Sequence, residues 1–367
     1  MARSFTATAD AEGRIGVSVQ GTTDSGMIAA IEVFSGETRV LLSDCGSYPG
    51  TVTVSASMIV NDGTLGASGE AELVVFGSLD NSLGSLEATG QGRLWVHGPT
   101  NSDGAVTVSG YGSRAWFLGG LVNVGSVSVE QGGYLDFLGA PWSNHGSISV
   151  SDAVIYTTQP WTNANAMTVG QGGVFVATAA GVNSGDITAH SGGVLGISAA
   201  LVNTGTIGLS HAAPMSWYGV VTNSGSIALD AGISLSLYER LENAGAVTVT
   251  SDSTLRVINQ PWANVGTIET AAGGLFAAGA AWTNSGTITA GAGGSVELSG
   301  STSSAALGSL RALGGRMGMY ATVDNAGRTI TLDATTGSWE FRGAILGGRV
   351  ELRDCRTFEP QGGTLAD

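Results

Sequence analysis

Short runs of alternating hydrophobic and polar residues, separated by glycine-rich corners, repeat along most of the chain. In the repeat that begins at Asn203, Ile207 and Leu209 alternate with Gly208 and Ser210. A corner follows, often with a glycine pair, then a second alternating run and a short third segment that ends near the next asparagine. Alternation with a period of two indicates strands, because a helix would show a period of 3.6. Each repeat is therefore predicted to hold three short β-strands.

Asparagines recur about every twenty residues and set the period of the repeat. Most open a phrase of Asn, one or two residues, Gly, a small polar residue and an aliphatic residue, such as NTGTI at 203 and NSGTI at 284. A fixed period of this length is the signature of a stacked solenoid. The asparagines of the column are Asn61, Asn81, Asn101, Asn123, Asn144, Asn163, Asn183, Asn203, Asn223, Asn243, Asn264, Asn284 and Asn325.

The predicted fold is all-β, a single-stranded parallel β-helix (β-solenoid) with about 20 residues per coil and about 15 coils. Three short strands close one triangular coil, and each strand pairs with its counterpart one period away. Right-handed coiling is expected, as for parallel connections in general. The coils are predicted to cover residues 48–335. Residues 1–47, in which GRIGVSV and AAIEVF alternate like strands, form a cap or attachment segment, and residues 336–367 form a C-terminal capping segment.

The asparagine column is predicted to be structural. An asparagine at the same corner of every coil can turn inward and bond the amide and carbonyl groups above and below it. Asparagine and the glycine two positions later also tolerate the left-handed backbone of tight corners. One register is lost between Asn284 and Asn325, where the period places Ser304 in the asparagine position. The large apolar position two places before the asparagine is predicted to be core, and its tryptophans are Trp142, Trp161, Trp262 and Trp282.

Composition adds a charge argument. The chain has 367 residues, 43 % of them hydrophobic, which is enough for a core, and a formal net charge of −15. Residues 115–239 contain no lysine or arginine, so a phosphate backbone is repelled and nucleic-acid binding is not expected. Cys45 precedes the repeats and Cys355 follows them; at opposite ends of a rod they cannot pair within one chain. No secretory signal and no segment long enough to span a membrane are recognised.

The phrase of an aliphatic or Trp residue, any residue, Asn, any residue, Gly, Thr or Ser, then Ile resembles the coil repeats of bacterial β-helical adhesins. These are of the filamentous haemagglutinin and autotransporter passenger type, and phage tailspikes and fibres reuse the pattern. The likeness covers about residues 48–335. It implies attachment to surfaces or polysaccharides, and it carries no catalytic motif.

The missing signal and the short chain favour a non-enzymatic structural spike or fibre component of a phage-like particle, either a phage or a gene transfer agent. Such a protein lies on the particle surface and contacts host cell-surface polysaccharide. A secreted or surface-anchored bacterial adhesin is the alternative, with an extracellular or cell-surface location, and a polysaccharide-degrading β-helix enzyme is a further one. The resemblance also implies a homo-oligomer, with a trimer favoured, and contacts with other particle or fibre subunits.

No catalytic, cofactor-binding or metal-binding residue is predicted. Glu130, Asp152 and Asp230 fall near one corner but in scattered coils, and Asp186 and Glu269 lie on the first strand several coils apart. Paired carboxylates hydrolyse glycosides only at a defined separation. The four histidines fall in different positions of the repeat, so no triad or metal cluster emerges.

Aromatic residues near the second strand are the candidate ligand contacts. In the adjacent pairs Trp116–Phe117 and Trp217–Tyr218, alternation sends one member outward. An exposed ring can stack against a sugar, whereas the alternative is that these rings pack on one another or on a neighbouring subunit. The candidate glycan-contacting residues are Trp116, Trp217, Tyr218 and Tyr238.

The outward positions of the first strand carry small polar groups such as Ser126, Ser128, Thr287 and Thr289. A regular threonine array would suggest ice binding, but Glu269 and other residues interrupt it. A flat face that packs against neighbouring subunits is predicted instead.

Overall fold

Corresponding strands of successive repeats pair in parallel and in register, so that each repeat forms one coil. The fold is an all-β parallel β-solenoid with about 20 residues per coil and about 16 turns. That is one turn more than the sequence predicted, because coil strands continue as far as Thr364–Ala366. The computed structural model describes residues 15–18, 27–34, 37–44, 51–61, 63–258 and 260–366.

The chain divides into two compact units, residues 1–180 and 181–367. The first unit begins with an antiparallel sheet of Ile15–Ser18, Met27–Phe34 and Glu37–Asp44. The first two strands confirm those predicted from alternation, and the third was not predicted. In its first two coils the second and third strands are continuous, as Thr51–Val60 and Glu72–Asp80. The first strands are Thr64–Ser68, Ser85–Thr89, Ala105–Ser109, Ser126–Glu130, Ser147–Ser151 and Ala166–Val169. The separate second strands are Arg93–Val96, Arg114–Phe117, Tyr134–Phe137, Val154–Thr157 and Val174–Ala177, and the third strands are Thr100–Ser102, Leu121–Asn123, Trp142–Asn144 and Trp161–Asn163.

The second unit repeats the same coil, with one 3₁₀ turn at Ser304–Ala306. Its first strands are Asp186–His190, Thr206–Ser210, Ser226–Asp230, Ala246–Val249, Thr267–Thr270, Thr287–Ala290, Ser309–Ala312, Thr329–Leu332 and Arg349–Leu352. Its second strands are Val194–Ile197, Met215–Trp217, Ser234–Leu237, Thr254–Val257, Leu275–Ala278, Ser295–Leu298, Arg316–Met319, Trp339–Phe341 and Phe358–Pro360. Its third strands are Gly181–Asn183, Leu201–Asn203, Val221–Asn223, Leu241–Asn243, Trp262–Asn264, Trp282–Asn284, Ser301–Ser303, Thr322–Asp324, Ala344–Leu346 and Thr364–Ala366.

Alternation along each strand builds the core. In Thr206–Ser210, Ile207 and Leu209 are buried while Thr206 is exposed, and the neighbouring coils repeat the pattern in register. Burial of these apolar columns is the main favourable term in folding. The tryptophan position is core, as predicted, and the buried side chains are Trp142, Trp161, Trp262 and Trp282.

The asparagine column forms an internal ladder of hydrogen bonds, as predicted. The Asn223 Nδ2 atom donates to Asn243 Oδ1 at 2.8 Å and to the carbonyl oxygen of Ala246 at 3.1 Å. Its own Oδ1 accepts from Asn203 Nδ2 at 2.7 Å. These amides are fully buried, so each bond also prevents the cost of an unpaired polar group. The ladder is therefore scaffold.

One member of the predicted column was wrong. Asn101 is exposed, and Ser102 lies buried in its place, where its Oγ atom accepts from Asn81 Nδ2 at 2.9 Å. The serine is too short to continue the ladder, and Asn123 Oδ1 is left without a partner among the described residues. The predicted place of Ser304 is consistent with the register. Ala281 bridges to Ser301, so three residues further along both strands Asn284 lies opposite Ser304.

Glycine is required in the Asn-x-Gly phrase for a different reason from the one predicted. Gly225, Gly245 and Gly266 do not take positive φ. A Cβ atom on any of them would overlap the carbonyl oxygen of the equivalent glycine one coil earlier, so close approach between coils requires glycine there. Left-handed backbone occurs instead at the corner after the first strand, for example at Gln131 (φ 54°) and Ser191 (φ 53°).

Residues 336–367, which were expected to form a cap, continue the solenoid. Trp339–Phe341 pairs in parallel with the strand before it and with Phe358–Pro360 after it. Asn325 Nδ2 donates to the carbonyl oxygens of Gly347 and Arg349, as in a regular coil. Cys355 is exposed and forms no disulfide, whereas Cys45 lies outside the described residues.

Candidate functional site

In the first unit, outward side chains from three neighbouring second strands lie in aligned columns. Parallel register places Arg114 between Arg93 and Tyr134, and it places Trp116 between Trp95 and Asp136. Adjacent strands are separated by about 4.8 Å, so residues in one column are in side-chain contact range. This face combines cationic, aromatic and carboxyl groups within three coils.

The two tryptophans form a rigid platform, the tryptophan pair. The ring centroids of Trp95 and Trp116 lie 3.9 Å apart with an angle of 13° between the planes. Alternation sends Trp116 outward and Phe117 into the core, as predicted for that pair. Trp116 is only 8 % exposed, so little of its ring is available to a ligand from solvent. The buried Trp95 Nε1 atom has no hydrogen-bond partner among the described residues.

Arg93 and Arg114 are the only lysine or arginine residues between positions 40 and 239. Both are exposed, and neither forms an ion pair within the described part of the chain. Glu72 is the register neighbour of Arg93, but its carboxylate accepts a hydrogen bond from Thr51 Oγ1 at 3.1 Å. The Arg114 guanidinium lies over the Tyr134 ring, 5.4 Å from its centroid, in a cation–π arrangement. Both cations remain available to an anionic group from solvent.

A carboxyl group lies beside this pair with altered acidity. Burial raises the pKa of Asp136 from 3.8 to about 6, while the nearby Arg114 and a hydrogen bond with the Trp116 side chain act in the opposite direction. Burial also raises the pKa of Tyr134, and Asp136 and Tyr156 add to that rise. The register neighbours of Asp136 are Trp116 and Tyr156, neither of them a second carboxylate. Such a single carboxyl can accept hydrogen bonds, but it does not form the carboxylate pair of a glycosidase.

A concave surface, here called the Tyr111 cleft, opens beside the arginines. It has a volume of about 560 Å³, and its side chains come from Glu70, Gln91, Arg93, Tyr111, Arg114 and Tyr134. The corner that carries Tyr111 holds residues 110–113, one residue more than the corners at 90–92 and 131–133. This extra residue pushes a ring that is 88 % exposed over the backbone of Gly132.

Tyr111 was not among the sequence candidates. The signal that could have found it is the local change in repeat length, since the distance from the first to the second strand is longer in this coil than in its neighbours. Alternation along a strand gives no information about a corner residue. The other parts of the cleft, Arg93 and Arg114, could have been recognised as the lone basic pair in an acidic stretch.

In the second unit, one of the predicted contacts is wrong. Trp217 is fully buried, and its Nε1 atom donates to the carbonyl oxygen of Leu195 at 2.7 Å, so it cannot meet a ligand from solvent. The outward member of that pair is Tyr218, which is 55 % exposed. It stacks on Tyr238, itself 39 % exposed, with centroids 4.9 Å apart. The two tyrosines use one ring face each on one another, in line with the alternative that these rings pack together.

Two further features of the second unit are an arginine that is already paired with carboxylates and an open groove over the third strands. Arg316 forms ion pairs with Glu297 at 3.0 Å and Glu340 at 2.6 Å, and its hydrogen bond to Glu340 lowers the pKa of that carboxyl. A groove of about 560 Å³ runs over the third strands near Ser303, with Arg240 and Glu242 paired to one another at 2.9 Å on its wall. Neither feature presents unpaired groups comparable to those of the Tyr111 cleft.

Within the described ranges, no group of three or more His, Cys, Asp and Glu residues is arranged to hold a metal ion. Glu130, Asp152 and Asp230, the carboxylates near the corner, lie in separate coils. Asp186 and Glu269 likewise belong to first strands that are not neighbours. In the same residues, no helix has the length and hydrophobicity needed to cross a membrane.

No protein-family model, no curated protein and no solved structure matches this chain.

Proposed function

We propose that this protein is a non-enzymatic attachment protein that contacts a cell-surface polysaccharide, as a structural spike or fibre component of a phage-like particle. The observation that supports the proposal is the Tyr111 cleft. An exposed corner ring and two arginines without an ion pair among the described residues line it, and the tryptophan pair lies two residues further along the same two strands. Saccharide sites typically combine an aromatic surface with a few fixed polar groups.

The scaffold suits this role for a mechanical reason. In the first unit, the coil that begins at Ala105 is held to the next by three parallel strand pairs, and the buried asparagine ladder, from Asn123 to Asn144, joins these coils as well. Side chains on such a face keep their spacing, which lowers the entropy lost when a long ligand binds along several coils. A polysaccharide also repeats along its length, so contacts in adjacent coils can act together.

The proposal separates the binding ring from the structural rings. Tyr111→Ala is expected to weaken binding of the whole chain to a glycan array by tenfold or more, because an exposed ring contributes to ligand contact and not to the core. Tyr218→Ala is the comparison from the second unit, where the sequence predicted a contact; if the Tyr111 cleft is the site, this variant keeps its binding. Equal binding by wild type and Tyr111→Ala would contradict the site.

The non-enzymatic part has its own test. The protein is incubated with purified capsule or lipopolysaccharide, and the supernatant is examined for released oligosaccharide. We expect no release, because Asp136 has no second carboxylate beside it in the register. Release that is abolished by Asp136→Asn would overturn the non-enzymatic assignment and leave saccharide contact intact.

A further inference from the structure

We propose that the Tyr111 cleft selects acidic saccharides, with Arg93 and Arg114 together binding the anionic substituent of one sugar residue while Tyr111 packs against its ring. This inference rests on the proposed function, because it names the ligand class of the same site. The shared chemistry is a carboxylate or sulfate group on a sugar.

The first support is the sign of the charge. The chain carries a net charge of −15, yet the ionisable carboxylate and guanidinium groups that line this cleft are two arginines and one glutamate, Glu70. Glu72 beside Arg93 and Asp136 near Arg114 add negative charge around the cleft, so the two guanidinium groups are local cations within an acidic surface. Since exposed charges act over roughly 10 Å at moderate salt, an anionic substituent is attracted here at short range by two cations, the only lysine or arginine side chains between positions 40 and 239.

The second support is geometry. Arg93 and Arg114 are direct register partners on adjacent parallel strands, so their side chains leave the sheet about 4.8 Å apart. Each guanidinium presents N–H donors in a planar fork that matches the oxygen atoms of a carboxylate or sulfate. Two such groups side by side can bind both oxygens of one anion.

The third support is that no protein group uses these donors fully. Neither arginine has an ion pair within the described residues, Glu72 is engaged by Thr51, and Arg114 is held over Tyr134. The cation–π contact fixes the direction of the guanidinium without consuming its N–H donors. By contrast, Arg316 in the second unit is enclosed by Glu297 and Glu340 and by the Tyr320 hydroxyl.

Tyr111 provides the complementary surface. The C–H face of a pyranose ring packs on an aromatic ring, and its substituents extend at the edge, toward the groups beside it. Tyr111 and the two arginines line the same cleft, so ring and anion are contacted together. Gln91, on the same wall, can bond to ring hydroxyl groups.

The test compares oligomers of galacturonic acid with the same oligomers as methyl esters, which have the same rings without charge. Sulfated dextran and plain dextran form the second pair of probes, and binding to the full chain is measured by calorimetry. We expect the affinity for each acidic probe that binds to exceed the affinity for its neutral match by at least tenfold. The affinity for the acidic probe should fall as the salt concentration rises. The carboxylate and sulfate arms identify the source of the anion.

Variants test the residues. Arg93→Gln and Arg114→Gln are each expected to lower the affinity for the acidic probe by about tenfold or more. The weak affinity for the neutral match should stay unchanged. Arg256→Gln is the matched control, because Arg256 is an exposed, outward residue of a second strand in the other unit. Circular dichroism and thermal melting confirm that every variant is folded.

The outcomes separate the two proposals. Equal affinity for acidic and neutral probes, or loss of affinity with Arg256→Gln alone, would overturn the inference and leave saccharide attachment standing. Failure to bind these probes and every glycan of an array would overturn both. Preference for the acidic probes that is abolished by either cleft arginine substitution supports both.

Discussion

Trp95 and Trp116 stack face to face on the outside of the sheet, with ring centroids 3.9 Å apart, although indole rings elsewhere in the chain point into the core. The stack leaves little ring face for a ligand but forms a stiff wall beside Arg93 and Arg114. Because the two rings stack on one another, removal of either ring leaves the other without the contact that fixes its orientation. In the proposed function, the pair therefore supports the strands that carry the two arginines and does not itself contact the ligand.

Trp116→Ala is expected to reduce the free energy of unfolding by about 1–3 kcal/mol, through lost area burial and lost ring stacking. It should also weaken saccharide binding, since it removes the neighbour of Arg114 and Asp136. Trp217→Ala is the control from the core, with an expected loss of about 3–5 kcal/mol. Denaturant unfolding measures the stability, and binding is compared at a temperature where both variants are folded. Saccharide binding that falls equally in both folded variants would contradict the assigned roles.

Ser102→Asn should repair a gap in the ladder. An asparagine at this position can donate to Asn123 Oδ1, which is buried and has no partner among the described residues. A gain of about 1 kcal/mol in unfolding free energy is expected, the usual net value of a buried hydrogen bond. Asn101→Ser, at the exposed neighbour, should change stability by less than about 0.5 kcal/mol. Equal effects of the two changes would mean that the ladder does not contribute to stability as described.

Two glycine substitutions compare a position in close contact with the previous coil and a position with free space around it. Gly245→Ala should cost about 3 kcal/mol or more, because the new Cβ atom overlaps the carbonyl oxygen of Gly225 in the previous coil. Gly208→Ala is the matched change on an outward strand position, where no atom lies within 4 Å of the added Cβ. It should stabilise the fold by about 0.5–1 kcal/mol, the usual advantage of alanine over glycine within a strand. Thermal melting of the two variants gives the comparison.

Asp136 should make stability fall as pH rises. Its pKa of about 6 in the folded chain exceeds the ordinary value of 3.8, so the folded state holds the proton more tightly. The contribution is full below pH 4 and is lost as the pH rises through 6, with a total of at most about 2–3 kcal/mol. Asp136→Asn removes this component and should be more stable than wild type at pH 7. The difference between the two unfolding curves from pH 4 to 7 isolates it from the other carboxylates, and a constant difference would contradict the shift.

The fold could be predicted almost completely because each of its rules repeats in every coil. Alternation at Ile207 and Leu209 and the asparagine at Asn203 recur with the same spacing, so local errors are corrected by the next repeat. Where one coil departs, this support is lost. Asn101 matched the residue type of the column but lies one position away from its register, and the buried residue is Ser102.

The site could be predicted only in part. It depends on which residue of each pair points outward and on the length of one corner. Alternation correctly gives one outward member in each aromatic pair, but it does not fix which one, and Trp217 is the inward member of its pair. Tyr111 owes its exposure to an extra corner residue, which strand periodicity does not describe. The raised pKa of Asp136 arises from burial under neighbouring coils, a property of the stacked structure and not of the local sequence.

The asparagine ladder has a direction. Within each unit, the Nδ2 atom of one coil donates to the Oδ1 atom of the following coil, as from Asn123 to Asn144 and from Asn243 to Asn264. The side-chain amide dipoles are therefore aligned head to tail, and each bond polarises the next, as peptide dipoles do along a helix. A row of neutral side chains thus gives each stack of coils an electrical polarity, with acceptor oxygen facing its N-terminal side and donor hydrogen facing its C-terminal side.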